Sequence, residues 1–86
     1  MTLCLRKTDL DWREIDGEIV ALDTRDAVYL AVQGSGALVW RLLADPTTRD
    51  RLIDALVEEY GIDSTRASTD VDAFLTTLND RGLLAS

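Results

Sequence analysis

Side chains able to perform chemistry are few in this sequence of 86 residues, and their spacing argues against an active site. Histidine, the usual general base and a frequent metal ligand, does not occur. The single cysteine, Cys4, cannot form an internal disulfide and has no histidine to activate it as a nucleophile. We interpret it as a small hydrophobic residue near a frayed end. The sequence predicts no catalytic residue, no metal and no other cofactor.

Carboxylate pairs and glycine-rich segments are the remaining candidates for chemistry. Asp70 and Asp72 stand two residues apart on a predicted helix, where their side chains do not face each other. We interpret them as solvated residues near a helix start, where negative charge is favourable. The segment QGSGA at residues 33–37 lacks the lysine and the spacing of a phosphate-binding loop. These patterns favour a binding protein over an enzyme.

The composition indicates one acidic domain spanning residues 1–86. Hydrophobic residues make up 47% of the chain, which is enough for one small core. Acidic residues outnumber basic ones by 16 to 9, and the formal net charge of −7 disfavours nucleic acid, whose phosphates need cationic partners. No apolar run approaches the roughly 18 residues of a membrane span, and no signal-peptide pattern occurs. We expect a cytoplasmic protein with no membrane or nucleic-acid partner.

Two turn signals divide the first part of the chain into an antiparallel meander. Asp16-Gly17 is a strong signal for a two-residue type I′ turn, and the polar segment DTRD at residues 23–26 supplies a second turn. Strands are predicted over about residues 10–15, 18–23 and 27–32. The register of the first hairpin stays open; in one register Trp12 and Ile19 share a face.

The third strand alternates between two sets of side chains. We assign one set to the core: Val28, Leu30 and Val32. The other set lies on the opposite face: Ala27, Tyr29 and Ala31. Tyr29 is left open between a groove residue and a residue that covers the back of the sheet.

The rest of the chain shows three stretches with helical spacing. Ser35 is the predicted N-cap of the first helix, and Asp45-Pro46 the start of the second. The third helix begins at about Ser64, and Gly61 and Gly82 end the second and third helices.

We predict an α+β fold in which a three-stranded antiparallel sheet is followed by three helices that cover one face, in a winged-helix-like arrangement. Leu83 and Leu84 are expected to fold back onto the core after the third helix. Four aromatic residues are assigned to the core or its border: Trp12, Trp40, Tyr60 and Phe74. A winged-helix DNA-binding role is disfavoured, because neither later helix shows a basic stripe.

The outer edge of the third strand is the feature with the clearest functional meaning. In a meander the first and third strands each have one unpaired edge. Charged residues line the first strand, whereas AVYLAV at residues 27–32 carries no charge and no proline. Such an edge is covered by the protein's own helix, pairs with a second copy, or accepts a peptide as a fourth strand. The residues alone leave these three alternatives open.

The segment LDTRDAVYLAVQGSGALVW at residues 22–40 resembles the PqqD family, also called RiPP recognition elements. Two later segments, LIDALVEEYGID and DVDAFLTTLNDRGLL, fit the second and third helices of that family. The resemblance covers about residues 10–85. Gln33 stands where the family often has asparagine, which leaves the hinge chemistry intact. As a short stand-alone chain, it is most similar to the leader-binding proteins of lasso-peptide biosynthesis.

The resemblance implies a non-catalytic domain that binds the leader segment of a ribosomally made precursor peptide. The leader would add as a strand to the third strand, against the third helix. The peptide-binding residues it implies are Val28, Tyr29, Leu30, Ala31 and Val32 on the strand and Val71, Asp72, Leu75 and Leu78 on the helix. The implied partners are a separate, cysteine-protease-like leader peptidase and then a cyclase. Two alternatives stay open: a PqqD-type chaperone for a radical-SAM enzyme, and a homodimer that pairs through the same strand.

Overall fold

The computed structural model describes residues 2–85 and contains three strands followed by three helices. The strands are β1 Leu10–Ile15, β2 Glu18–Asp23 and β3 Val28–Val32. The helices are α1 Gly34–Leu43, α2 Arg49–Tyr60 and α3 Ser64–Asp80. The predicted α+β class and the order of elements are confirmed. β3 begins one residue later than predicted because the backbone of Ala27, with a φ of 54°, still belongs to the turn.

The turn between β1 and β2 fixes the register of the first hairpin. Both of its central residues have positive φ, 52° for Asp16 and 82° for Gly17, as a type I′ turn requires. The resulting pairing places Trp12 opposite Ala21. Residues directly opposite each other in antiparallel strands share a face. Trp12 therefore lies on the same face as Ile19, which settles the alternative that the sequence left open.

The three helices cover the face of the sheet that carries Ile19 and Ala21, whose side chains are almost inaccessible to solvent. Trp40 of α1 is fully buried and meets the ring of Trp12 edge-on, with 6.1 Å between the ring centroids. Trp12 itself is 37% exposed, so it closes the border of the core. A sheet of only three strands becomes stable when one face is buried against helices in this way.

The first two helices begin at other residues than predicted. α1 begins at Gly34, with Gln33 rather than Ser35 at the N-cap position. α2 begins at Arg49, so Asp45-Pro46 lies in the connection before it. For α2 the reason is a contact with the N-terminal segment that local sequence signals do not reveal.

That contact is an antiparallel bridge between Leu3 and Thr47. The N–H of each residue donates to the carbonyl of the other, at 2.7 and 2.8 Å. The bridge keeps the chain extended up to Thr48, whose side chain then accepts a hydrogen bond from the N–H of Arg51 and caps α2.

The assignment of Tyr60 to the core is wrong, since this residue is 46% exposed. It is the last residue of α2 and extends past the buried stripe formed by Leu52 and Leu56. The end of α2 at Gly61, with a φ of 64°, and the start of α3 at Ser64 are confirmed.

The two ends of the described chain are held together beside the core. Leu5 bridges to Leu84, and the N–H of Arg6 donates to the carbonyl of Leu83 at 2.8 Å. Leu83 is only 3% exposed, so the predicted return of the chain after α3 is confirmed. The N-terminal segment around Cys4 is likewise fixed by this pairing and is not frayed.

Candidate functional site

β3 is the outer strand of the sheet, and nothing within residues 2–85 pairs with its free side. The turn geometry determines which backbone groups face that side. Ile15 and Glu18 flank a two-residue turn, so they form a hydrogen-bonded pair, and such pairs alternate along the hairpin. The N–H and C=O groups of Ile19 and Ala21 on β2 therefore point away from β1 and toward β3.

The same alternation continues across β3. Val32 lies opposite Ile19 and Leu30 lies opposite Ala21, so the backbone groups of these two β3 residues bond to β2. The N–H and C=O groups of Tyr29 and Ala31 then point toward the free edge. Within the predicted segment, these two residues offer the donors and acceptors that an added strand would need.

The side chains of β3 are exposed to very different degrees. Val28, Leu30 and Val32 are on the helix-covered face, but only Val32 is buried, Leu30 is half-buried and Val28 is 43% exposed. Tyr29 and Ala31 are on the outer face, where Tyr29 is 73% exposed. Val28 therefore lies on the predicted face but its assignment to the core is wrong, because the helices do not cover the start of β3.

Two clefts lie beside α3, one toward the sheet and one that also borders α1 and Leu56 of α2. The first has a volume of about 220 Å³ and lies between the start of β3 and the C-terminal end of α3. The second, of about 360 Å³, lies between the start of α1 and the middle of α3. We call the surface that these clefts form the β3–α3 groove, defined by Val28, Leu30, Asp70, Ala73, Phe74, Thr77, Asp80 and Arg81.

A close approach of three elements forms the floor of the groove. A Cβ atom on Gly36 would lie 2.8 Å from Cγ1 of Val32 and 3.2 Å from Cε1 of Phe74. The absence of a side chain at Gly36 therefore lets α1, β3 and α3 meet at this point. Phe74, which the sequence assigned to the core, is partly buried and lies at the border between core and groove.

The α3 residues implied by the resemblance lie on neighbouring faces of the helix. Val71 and Leu78 have no solvent exposure and pack in the core. Leu75 is half-buried against the core, and Asp72 binds Arg49 of α2 through both carboxylate oxygens, at 2.7 and 2.8 Å. None of the four lines the groove, and their contact with a peptide stays a prediction.

Sequence reasoning missed the groove side of α3 because it selected the most apolar stripe. Asp70 and Thr77 directly precede the core residues Val71 and Leu78, and one step along a helix rotates the side chain by about 100°. The groove stripe mixes charged, small and aromatic residues, so its hydrophobic periodicity is weak. The signal available in the sequence was the recurrence of these groove residues at intervals of three and four positions, from Asp70 to Arg81, which places them on one side of a helix.

Hydrogen bonds with arginines lower the pKa values of two aspartates, Asp23 and Asp72. Burial raises the pKa of Asp23, but hydrogen bonds from Arg6 and from the backbone N–H of Arg25, together with their positive charges, outweigh burial and lower it. The hydrogen bonds from Arg49 lower the pKa of Asp72. Both carboxylates are therefore ionised at neutral pH.

These two aspartates predict that acid destabilises the fold. A carboxyl group with a lower pKa in the folded chain stabilises the fold fully above its unfolded pKa of about 3.9, and this stabilisation is lost as the pH falls through the folded pKa. Urea denaturation between neutral pH and pH values below about 4 measures the effect. The free energy of unfolding should fall less steeply in Asp23→Asn than in the wild type.

The control for this measurement is Asp54→Asn, which changes an exposed aspartate outside the ion pairs found in residues 2–85. Its acid profile should follow that of the wild type. Equal slopes for Asp23→Asn and the wild type would contradict a stabilising role for the Asp23 carboxylate.

Other kinds of site find no support in the part of the chain that the structure describes. Residues 2–85 contain no group of three or more His, Cys, Asp or Glu side chains placed to hold a metal ion. The helices of the same region are too short or too polar to cross a membrane. The β3–α3 groove is therefore the strongest candidate for a functional site.

Comparisons with known proteins identify a family and two similar folds. The profile of a family described as Coenzyme PQQ synthesis protein D (PqqD) matches residues 18–84, which contain β2, β3 and all three helices. No protein of curated function matches the sequence significantly. The family match includes both walls of the β3–α3 groove.

Two solved structures share the fold. One, TbiB1 in complex with the TbiA(beta) leader peptide, is 26% identical in sequence, with a TM-score of 0.85 over 92% of each chain. The other, lasso peptide synthetase B1 complexed with the leader peptide, is also 26% identical, with a TM-score of 0.85 over 98% of each chain. Both of these similar proteins carry a bound peptide.

Proposed function

Because the chain belongs to the PqqD family, we propose that it binds the leader segment of a ribosomally made precursor peptide as a fourth strand on β3. The observation that carries this proposal is the free edge of β3 beside the open β3–α3 groove. The outward backbone groups of Tyr29 and Ala31 are suited to main-chain pairing. The two similar structures with bound leader peptides support the assignment.

In binding by strand addition, different contacts supply affinity and specificity. Main-chain hydrogen bonds to Tyr29 and Ala31 are tolerant of leader sequence, whereas pockets for alternate side chains distinguish one leader from another. Leader side chains on the helix side would contact Leu30 and Phe74 in the groove. A disordered leader loses conformational entropy on binding, so a Kd from about micromolar to tens of nanomolar is reasonable.

The protein itself catalyses no step in this proposal. It presents the bound precursor to separate enzymes, a cysteine-protease-like leader peptidase and then a cyclase of lasso-peptide biosynthesis. The similarity to lasso peptide synthetase B1 favours these partners. A radical-SAM enzyme as the partner would leave the leader-binding step unchanged, and co-purification with each enzyme distinguishes the two.

Fluorescence anisotropy tests leader binding directly. The probe is the labelled leader of the precursor peptide encoded beside this protein, titrated at physiological salt. We expect saturable binding of the leader and none of the core peptide or of a scrambled leader. Absence of binding at tens of micromolar, with a fold verified by circular dichroism, would contradict the proposal.

A second candidate function uses the same edge for pairing with another copy of the chain. It is favoured by the exposed apolar side chains of Val28 and Tyr29 on this edge strand, which are 43% and 73% exposed. Sedimentation velocity at micromolar concentration detects such a homodimer. Because dimer and leader would compete for one edge, excess leader should dissociate a dimer that pairs through β3.

A further inference from the structure

One cluster of hydrogen bonds lies at the end of the β3–α3 groove where β3 begins. Its centre is Arg6, whose side chain is only 11% exposed. The guanidinium group donates to the carbonyls of Thr8, Asp9 and Gly82, each at 2.8 Å. It also donates to the Asp23 carboxylate at 2.7 Å. One side chain therefore binds four oxygen atoms.

These oxygen atoms belong to three separate parts of the chain. Asp9 precedes β1, Asp23 ends β2, and Gly82 follows α3. Each part contributes a residue to the wall of the 220 Å³ cleft: Leu10 beside Asp9, Asp23 itself, and Leu83 beside Gly82. Pairing of Leu10 with Asp23 already holds two of these walls together, and the guanidinium group links them to the third wall after α3.

The ion pair also reaches the start of β3. The carboxylate oxygen of Asp23 that binds Arg6 accepts a second hydrogen bond from the backbone N–H of Arg25, at 3.1 Å. Arg25 lies in the turn that leads to Val28, the first residue of β3. The backbone N–H of Arg6 meanwhile donates to the carbonyl of Leu83, just after α3. Arg6 and Asp23 are therefore connected to both sides of the groove.

We infer that Arg6 and Asp23 form a positioning pair that sets the width of the β3–α3 groove near Val28 and thereby controls the affinity for the leader. The inference rests on the proposed function. α3 packs mainly against α2, and the Arg6 guanidinium connects Gly82, just after α3, to Asp23 at the end of β2. The planar, five-donor guanidinium fixes the directions of its acceptors, which a lysine ammonium does not.

The test compares two arginine–aspartate pairs of different location. Arg6→Gln removes the charge and the planar fork at the cleft. Arg49→Gln is the control for location, because Arg49 also binds an aspartate, Asp72, but this half-exposed pair lies outside the groove. Leader anisotropy should show an affinity about tenfold lower for Arg6→Gln and within about twofold of the wild type for Arg49→Gln.

Two further variants apply if Arg6→Gln does not fold. Arg6→Lys keeps the charge but loses the fork, and Asp23→Asn keeps the shape of the side chain but loses the charge. Each should remain folded by circular dichroism and should bind the leader more weakly than the wild type. Wild-type affinity in both of these folded variants would overturn the positioning role.

A scan of single alanine substitutions along the leader separates positioning from general destabilisation. In the wild type, alanine at the leader position that occupies the cleft should weaken binding. In Arg6→Lys and Asp23→Asn this one substitution should lose part of its effect, while the other leader positions keep theirs. A uniform loss across all positions would overturn the inference.

The two proposals fail in distinguishable ways. A folded wild-type protein that binds no leader overturns the proposed function and the positioning role together. Leader binding by the wild type with unchanged affinity in the Arg6 and Asp23 variants overturns only the positioning role.

Discussion

Replacement of Ala31 by proline should abolish leader binding while the protein remains folded. The backbone N–H of Ala31 points to the free edge of β3, so its loss removes a donor that pairs with the leader and none that pairs with β2. The proline ring would also occupy the space of the added strand. Proline is tolerated on edge strands where the missing N–H faces solvent. We expect leader affinity to fall at least about 30-fold, or about 2 kcal/mol.

Leu30→Pro is the contrasting variant, because the N–H of Leu30 points inward to β2, opposite Ala21. Its loss breaks the internal ladder, so this variant should unfold rather than merely lose leader binding. Ala31→Val is the matched control, since it keeps the N–H and suits a strand. Circular dichroism and leader anisotropy on the three variants give the result. Wild-type affinity in a folded Ala31→Pro variant would exclude this edge as the leader site.

Local signals were sufficient to predict the sheet. Asp16-Gly17 predicts a type I′ turn because both positions need positive φ, and the observed angles meet this requirement. This turn determines the register of the strands and therefore which backbone N–H and C=O groups of β3 point to the free edge. The lack of charge in residues 27–32 already indicated an edge that is not protected against strand addition.

Contacts between distant parts of the chain were not predictable from local signals. Thr47 pairs with Leu3, and this pairing moved the start of α2 to Arg49. Arg6 joins three segments through four side-chain hydrogen bonds, which leave no periodic pattern in the sequence. Polar residues that act through such contacts become recognisable only when the fold brings their partners together.

The groove side of α3 was also not predictable from local signals. Periodicity identifies the stripe that contains Val71 and Leu78, and this stripe is the core. A groove needs a neighbouring stripe that is less apolar, because its side chains must remain accessible in the free protein. Which neighbouring stripe faces the groove depends on the position of the sheet relative to α3. The packing of α3 on α2 sets the orientation of the helix.

The core and groove faces of α3 predict opposite effects for two adjacent residues. Leu78 is fully buried, so Leu78→Ala should lower the free energy of unfolding by about 2–5 kcal/mol. That is a large part of the 5–15 kcal/mol or so that stabilises a typical domain. The affinity of the folded variant for the leader should nevertheless stay close to that of the wild type, because Leu78 does not line the groove.

Thr77→Arg should have the opposite effects. Thr77 is exposed and lines the groove, so a long cationic side chain there should block the leader and lower its affinity at least about tenfold. The free energy of unfolding should change by no more than about 0.5 kcal/mol. Thr76→Arg is the matched control, since Thr76 is exposed on the side of α3 away from the core and should leave both quantities unchanged. If Leu78→Ala weakened leader binding and Thr77→Arg did not, the peptide would contact the apolar stripe of α3, and the groove assignment would be wrong.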